Sequence, residues 1–301
     1  MIANKYMRIW GETMRLNPFN TSNIKVGSAG GGGGGGRRAG GVGCGAIVIA
    51  LIGALVFGVD PMETLSTLEG GAGGQQTSQS AEMSEQELCT QNAYATETCN
   101  ALSSLNTTWE RVFQEQGVRG FQQPTLNFIQ GGNFNTGGCG RASSAMGPFY
   151  CPADQTIYID TRFYDQLAQM AGDRGDFARL YVVAHEYGHH IQTVTGISDA
   201  IRSAQAQNPR QSNQLQVLME LQADCYAGVW AGKNADRIER GDLQEGMRAA
   251  ASIGDDTLQR NAGQRVDPEG FTHGTSDQRM KALQLGLRGD DRQCDAITQI
   301  R

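Results

Sequence analysis

The sequence predicts an α+β protein: a mostly helical domain with a small β-sheet, preceded by one N-terminal transmembrane helix. Three observations predict it. Beyond residue 84, apolar residues recur mainly at three- and four-residue steps. Between 125 and 159 that pattern gives way to short apolar runs bounded by glycine and proline. Residues 39–59 carry no charge and are as long as one bilayer-spanning helix, which needs about 20 residues. The 301 residues allow one substantial domain plus extras, and a net charge of −6 excludes a general nucleic-acid binder, which needs a basic face.

In chain order, residues 1–38 hold Lys5, Arg8, Arg15, Lys25, Arg37, Arg38 and the glycine run 30–36. They read as a flexible, basic, Gly-rich cytoplasmic arm. Met7 and Met14 are alternative starts. Residues 39–59 are the anchor. No Lys or Arg follows until Arg111, so the charge asymmetry puts the N-terminus in the cytoplasm and the bulk of the chain outside. That is a single pass through the inner (cytoplasmic) membrane, with a periplasmic or extracytoplasmic domain. The segment ends in Phe57-Gly-Val-Asp-Pro61 without a small-x-small site, which predicts an uncleaved anchor. Ala46, Ala50, Ala54 and Gly58 form a small-residue seam through which two anchors could pack as a homodimer. Residues 60–83 read as a linker and 84–301 as the domain.

Within the domain, 84–116 is helical, with Leu88, Tyr94, Leu102, Trp109 and Phe113 inward and a break expected near Asn106. Strands are expected at Thr125–Ile129, somewhere within Ala142–Tyr150, and at Thr156–Ile159, before a helix over Arg162–Ala171. Further helices are expected over Asp242–Ile253 and Ser276–Leu287, the latter capped by Ser276 with Met280, Leu283 and Leu287 inward.

The chemistry concentrates in Tyr181-Val-Val-Ala-His185-Glu186-Tyr187-Gly188-His189-His190, which holds three of the four histidines. On a helix, positions four apart share a face, so His185 and His189 can supply two corners of a Zn²⁺ tetrahedron. Glu186 follows the first histidine directly, where it can act on a water without being a ligand. Phe177, Leu180, Ala184, Tyr187, Ile191 and Val194 form a separate apolar stripe, with Gly196 as the stop. His190 reads as structural. Gln192 and Thr195 stand where the metzincin extension needs Gly and His, which excludes that class.

A catalytic zinc needs a third ligand. Glu220 and Asp224 share a face of a second helix that begins near Ser212, with Leu218, Leu221, Cys225, Gly228 and Val229 on its apolar side. Glu220 is the expected third ligand, and Asp224 the carboxylate that accepts the free N–H of a ligand histidine. Alone, the two would read as a solvated acidic pair. His273 lies in the glycine-containing loop Phe271–Ser276. Two roles stay evenly open for it, donor to the oxyanion of an attacked carbonyl or loop packing, with a rival zinc ligand as a lesser third.

Ala184-His-Glu-Tyr-Gly-His-His-Ile-Gln192, Glu220-Leu-Gln-Ala-Asp-Cys-Tyr-Ala-Gly-Val-Trp230, Phe271-Thr-His-Gly-Thr-Ser-Asp-Gln-Arg279 and Gly147–Asp160 together resemble the bacterial neutral zinc metallopeptidase family. The resemblance implies a gluzincin-like, zincin-type fold and a Zn²⁺-dependent peptidase acting on a peptide or protein substrate. It also implies an edge strand, expected at Ile157–Asp160, that holds substrate backbone above the zinc helix; an interior strand is the alternative. A different class of function, a metal-binding envelope scaffold without peptidase activity, fits the same motifs. Six cysteines beyond the anchor suggest disulfides in an oxidising compartment, although six allow fifteen connectivities. The expected set is Cys89–Cys99, Cys139–Cys151 and Cys225–Cys294. Zinc-binding thiols are the rival reading, disfavoured because no Cys-x-x-Cys pair occurs.

Overall fold

The computed structural model describes residues 14–30, 83–172, 175–239 and 241–299. The expected anchor at 39–59 and nearly all of the linker lie outside the described residues. Among the described ones, no helix is long and apolar enough to cross a membrane.

Residues 14–29 correct the sequence reading. Expected as part of a flexible cytoplasmic arm, they pack onto the domain. Met14, Ile24 and Val26 are buried, and Asn106 Nδ2 donates to the Asn23 carbonyl at 2.6 Å. Strand β1 (Val26–Ala29) then joins the sheet, parallel to β2 (Thr125–Ile129), with Val26 opposite Leu126. The inward alternation of Ile24 and Val26 is too short to stand out beside seven glycines, and only its partner strand makes it a strand. A single crossing by residues 39–59 would put residues 14–29 and the domain on opposite faces of a bilayer, so that topology and this sheet exclude one another.

The hairpin β3 (Asn133–Asn135) and β4 (Arg141–Ser143) is antiparallel and separate. Strands β5 (Phe149–Cys151) and β6 (Thr156–Ile159) complete a four-stranded sheet in the order β1-β2-β6-β5, in which only β5 runs antiparallel. β6 therefore lies between two neighbours and is buried along its length, which overturns the expected edge at Ile157–Asp160. Among the described residues, β1 and β5 are the outer strands. Along β2 and β6, Leu126, Phe128, Ile157 and Ile159 face the helical core, whereas Ile129 and Tyr158 face the hairpin through Phe134 and Phe149.

The helices follow in order: α1 (Glu85–Thr90), α2 (Ala93–Glu115), α3 (Phe163–Ala171), α4 (Asp176–Val194), α5 (Ile197–Gln207), α6 (Ser212–Lys233), α7 (Asp242–Ser252), α8 (Asp255–Asn261), α9 (Ser276–Gly286) and α10 (Arg292–Asp295). Ser84 and Glu87 form a capping box at α1, and Asn92 caps α2 by accepting from the Ala95 N–H. The break between these helices thus falls at Gln91–Asn92. Asn106 is instead buried inside α2, satisfied by Tyr187 Oη at 2.8 Å and by its bond to Asn23. Thr275, one residue before the expected cap, caps α9.

Two glycines set how closely the central helices approach. A Cβ on Gly188 of α4 would lie 2.8 Å from the Ala223 backbone of α6, and a Cβ on Gly286 of α9 would overlap the Cys225 carbonyl of α6. α6 is consequently buried on all sides from Gln222 to Ala231, where an amphipathic helix was expected. All three expected disulfides form, joining α1 to α2, the hairpin loop to β5, and α6 to α10.

Candidate metal centre

The crossing of α4 over α6 decides the site. Tyr181, His185 and His189 succeed one another at four-residue steps on α4, and Glu220 and Asp224 do the same on the facing side of α6. Glu220 Oε2 lies 3.2 Å from His185 Nε2, and Oε1 lies 3.7 Å from His189 Nε2. One donor atom from each of His185, His189 and Glu220 falls within 4.8 Å of the other two. All three residues the sequence offered as ligands therefore come together.

The groups behind the donors fix their orientation. Asp224 Oδ1 accepts from His185 Nδ1 at 2.7 Å, which leaves the Nε2 lone pair of a neutral ring facing the cluster. His189 Nδ1 is bonded to Gln192 Oε1 at 2.9 Å, and Gln192 Nε2 donates to the Met219 carbonyl on α6 at 2.7 Å. Gln216 Nε2 donates to Glu220 Oε1 at 3.0 Å. Asp224 is itself clamped. Tyr181 Oη donates to Oδ1 at 2.5 Å, and the Arg279 guanidinium, only 2% exposed, donates through Nε and Nη2 at 2.8 and 2.9 Å. A fork of this kind is a strong, directional pair in a dry interior.

The electrostatics match. Burial alone would raise Asp224, but Arg279 and His185 outweigh it and hold the carboxyl at about 2. Burial likewise opposes the ionised form of Glu220, and His189 and His185 pull it well below its ordinary value. Burial lowers His185, yet the Asp224 and Glu220 carboxylates push it up to about 10, so a metal cation would bind there in exchange for the Nε2 proton and leave the ring neutral. Glu186 moves the other way, raised chiefly by burial. Two imidazole nitrogens and one carboxylate, all buried and held by outer hydrogen bonds, fit the donor set of a catalytic Zn²⁺, which takes three protein ligands and keeps a fourth position open.

The model of the family described as "Putative neutral zinc metallopeptidase" matches residues 14–297. The chain belongs to that family. It is 47% identical to the uncharacterised protein YpfJ of Escherichia coli K12 over 201 residues, covering 65% of this chain and 69% of that protein. It is 38% identical to the uncharacterised protein Rv2575 of Mycobacterium tuberculosis H37Rv over 210 residues, 65% of this chain and 68% of that one. No solved structure matches significantly.

His273 is placed by a device the sequence reading missed. Asp255, the first residue of α8, accepts the backbone N–H groups of Thr272, His273 and Gly274 on Oδ2 at 2.7, 2.6 and 3.0 Å. Its Oδ1 lies 3.0 Å from His273 Nδ1. The loop and its ring are thus fixed from one carboxylate, with Nδ1 engaged and Nε2 the nitrogen left for other contacts. His190 is structural, as expected. Its Nε2 meets the Gln122 carbonyl at 2.6 Å, so Nδ1 accepts from Tyr150 Oη of β5 at 3.1 Å, and burial holds the ring down to about 4 and neutral. Tyr181, Gln192, Asp255 and Arg279 also escaped assignment. Tyr181 carried a signal, one turn before His185 on the same face. Arg279 carried none beyond its place in the third motif, because only the α6–α9 packing brings it to Asp224.

Proposed function

We propose that this protein is a zinc-dependent peptidase that hydrolyses peptide bonds in peptide or protein substrates, with His185, His189 and Glu220 as the metal ligands. The observation that carries the reading is the convergence of those three donors with Asp224 behind His185. Zn²⁺ held there would supply Lewis acidity, polarising the scissile carbonyl and making a water nucleophilic near neutral pH. Glu186 takes the proton from the attacking water and delivers it to the nitrogen of the leaving amine. Its burial, which raises its proton affinity, helps it hold that proton between the two transfers. His273, oriented by Asp255, donates from Nε2 to the oxygen of the attacked carbonyl when that nitrogen is protonated. The substrate backbone pairs with the outer edge of β5, which has no strand beside it among the described residues and whose Tyr150 is bonded to His190 on α4.

The reading extends to location. Three disulfides suit an oxidising compartment, so the domain works outside the cytoplasm. The uncharged run 39–59 holds it at the membrane, with residues 14–29 on the same side as the zinc site. Glu186→Gln is the deciding experiment. Zinc per chain stays at the native level, and chelator-sensitive cleavage of a mixed peptide library falls by roughly 10²–10⁴-fold or more. Cleavage undiminished in the variant would remove Glu186 from its role. Zinc bound by the native protein without any chelator-sensitive cleavage would leave a metal-binding scaffold.

A further inference from the structure

Away from the metal centre, a second group of carboxylates gathers at the start of the same helix. Asp176 is the first residue of α4 and Asp242 the first of α7; with Glu245 they bring three oxygens within 4.8 Å of one another. Both aspartates are buried, at 7% and 1% exposure. Asp242 Oδ2 accepts from the Glu239 N–H at 2.7 Å, but Oδ1 is buried without a hydrogen-bond partner, alone in this among the described residues. Burial and the neighbouring Asp242 push Asp176 up to about 6 against the pull of the Met14 N–H and the Arg179 cation, and Glu245, which accepts from the Phe177 N–H at 3.3 Å, completes the cluster. Into it points the main-chain nitrogen of Met14, donating to Asp176 Oδ2 at 2.8 Å.

The surroundings hold that nitrogen firmly. The Met14 side chain is 5% exposed within the main core. The next residue is clamped to the segment before α7: Arg15 N donates to the Arg237 carbonyl at 3.0 Å, and the Arg15 guanidinium pairs with Glu239. A peptide N–H at this point offers one hydrogen bond and no charge. A free α-amino group offers three N–H bonds and a full positive charge, on the N-terminal turns of two helices that already carry carboxylates there. Met14 is also one of three methionines at which the chain could start, and the family likeness begins at this residue.

We propose that the working chain begins at Met14, and that its α-ammonium is the cation held by Asp176, Asp242 and Glu245 at the head of the helix carrying His185, Glu186 and His189. The site is an amine-capture pocket whose ligand is the chain's own terminus. Initiation at Met14 followed by exposure of the free amine suffices. The inference stands whether or not the metal centre is a peptidase, because none of its tests reads activity.

The first test is the N-terminus of the folded protein, purified through a C-terminal tag from cells expressing the gene from its own upstream region, by intact mass and N-terminal sequencing. The expected result is an unblocked Met14; a folded protein beginning at Met1 or Met7 overturns the proposal. The second compares residues 14–301 with the same chain carrying one alanine before Met14. The extension lowers Tm by about 2–4 °C or more, and Asp176→Asn in both chains removes the difference; equal Tm values overturn it. Should the Asp176 variants not fold, amine labelling substitutes. The Met14 amine of the native chain resists an N-hydroxysuccinimide ester and reacts once the protein is unfolded; equal rates in the two states overturn the proposal. A rise in Tm with millimolar Ca²⁺ that survives intact amine protection leaves the proposal standing, whereas Ca²⁺ that exposes the Met14 amine to labelling assigns the carboxylates to a divalent cation and overturns it.

Discussion

At the scale of single residues, the candidate metal site is oriented by groups that are not among its three donors. Asp224 fixes the tautomer and direction of His185, and Arg279 with Tyr181 fixes Asp224. Arg279→Met leaves a buried carboxylate without its cation, and Asp224→Asn exchanges an acceptor for an amide that can present its donor. Each lowers zinc affinity about 10–100-fold by competitive chelator titration, with Arg279→Met also costing roughly 3–5 kcal/mol of stability in urea unfolding. Unchanged affinity in both would remove the clamp from the metal centre. His190 gives a pH prediction. Its folded value lies near 4, below the 6.5 of an unhindered imidazole, so the unfolded chain binds the extra proton. The stability it contributes is complete above pH 6.5 and is lost as pH falls towards 4. Across that window, the native protein loses about 3 kcal/mol more than His190→Gln. Parallel curves for the two proteins would contradict the assignment.

At the scale of elements, the helix crossing makes the site and Gly188 permits the crossing. A methyl group there must push α6 away from α4 or bend one of them, because its near neighbour is backbone rather than a flexible side chain. Gly188→Ala therefore costs about 1–3 kcal/mol and loosens the bond between Glu220 and the histidines, read as a fall in zinc per chain after dialysis. Full zinc retention would show that the crossing has slack. The loop carrying His273 makes a separate prediction. His273→Ala lowers kcat roughly 10²–10³-fold while zinc content and KM hold, and a change confined to KM would make it a binding residue only. The motif helix was legible in the sequence because its period is local: His185 and His189 needed only a 3.6-residue turn. β1 and β6 were not read correctly, because whether a strand is central, peripheral or formed at all depends on partners about 30 to 100 residues away.

For the whole molecule, the placement of residues 14–29 carries the largest consequence. They close one edge of the sheet and lie against α2, so they sit on the side of any membrane where the domain sits. Single cysteines at Ser22 and Gln114, both exposed, test this in intact cells with a membrane-impermeant maleimide. Both label, or neither does. Labelling at Gln114 alone would return the N-terminal segment to the opposite face and leave β2 as an edge. By itself the sequence determined the paired-histidine motif and the balance of helix over strand, since both rest on residue type and short-range spacing; Glu220, Asp224 and the disulfide pairing it only suggested, because six cysteines allow fifteen sets and Glu220 lies 35 residues from His185. Only the tertiary structure decided that β6 is interior, that the N-terminal stretch belongs to the sheet, and that Arg279 and Tyr181 hold Asp224 while Asp255 holds His273. Those are contacts between residues far apart in the chain, and no local periodicity encodes which distant partner will be met.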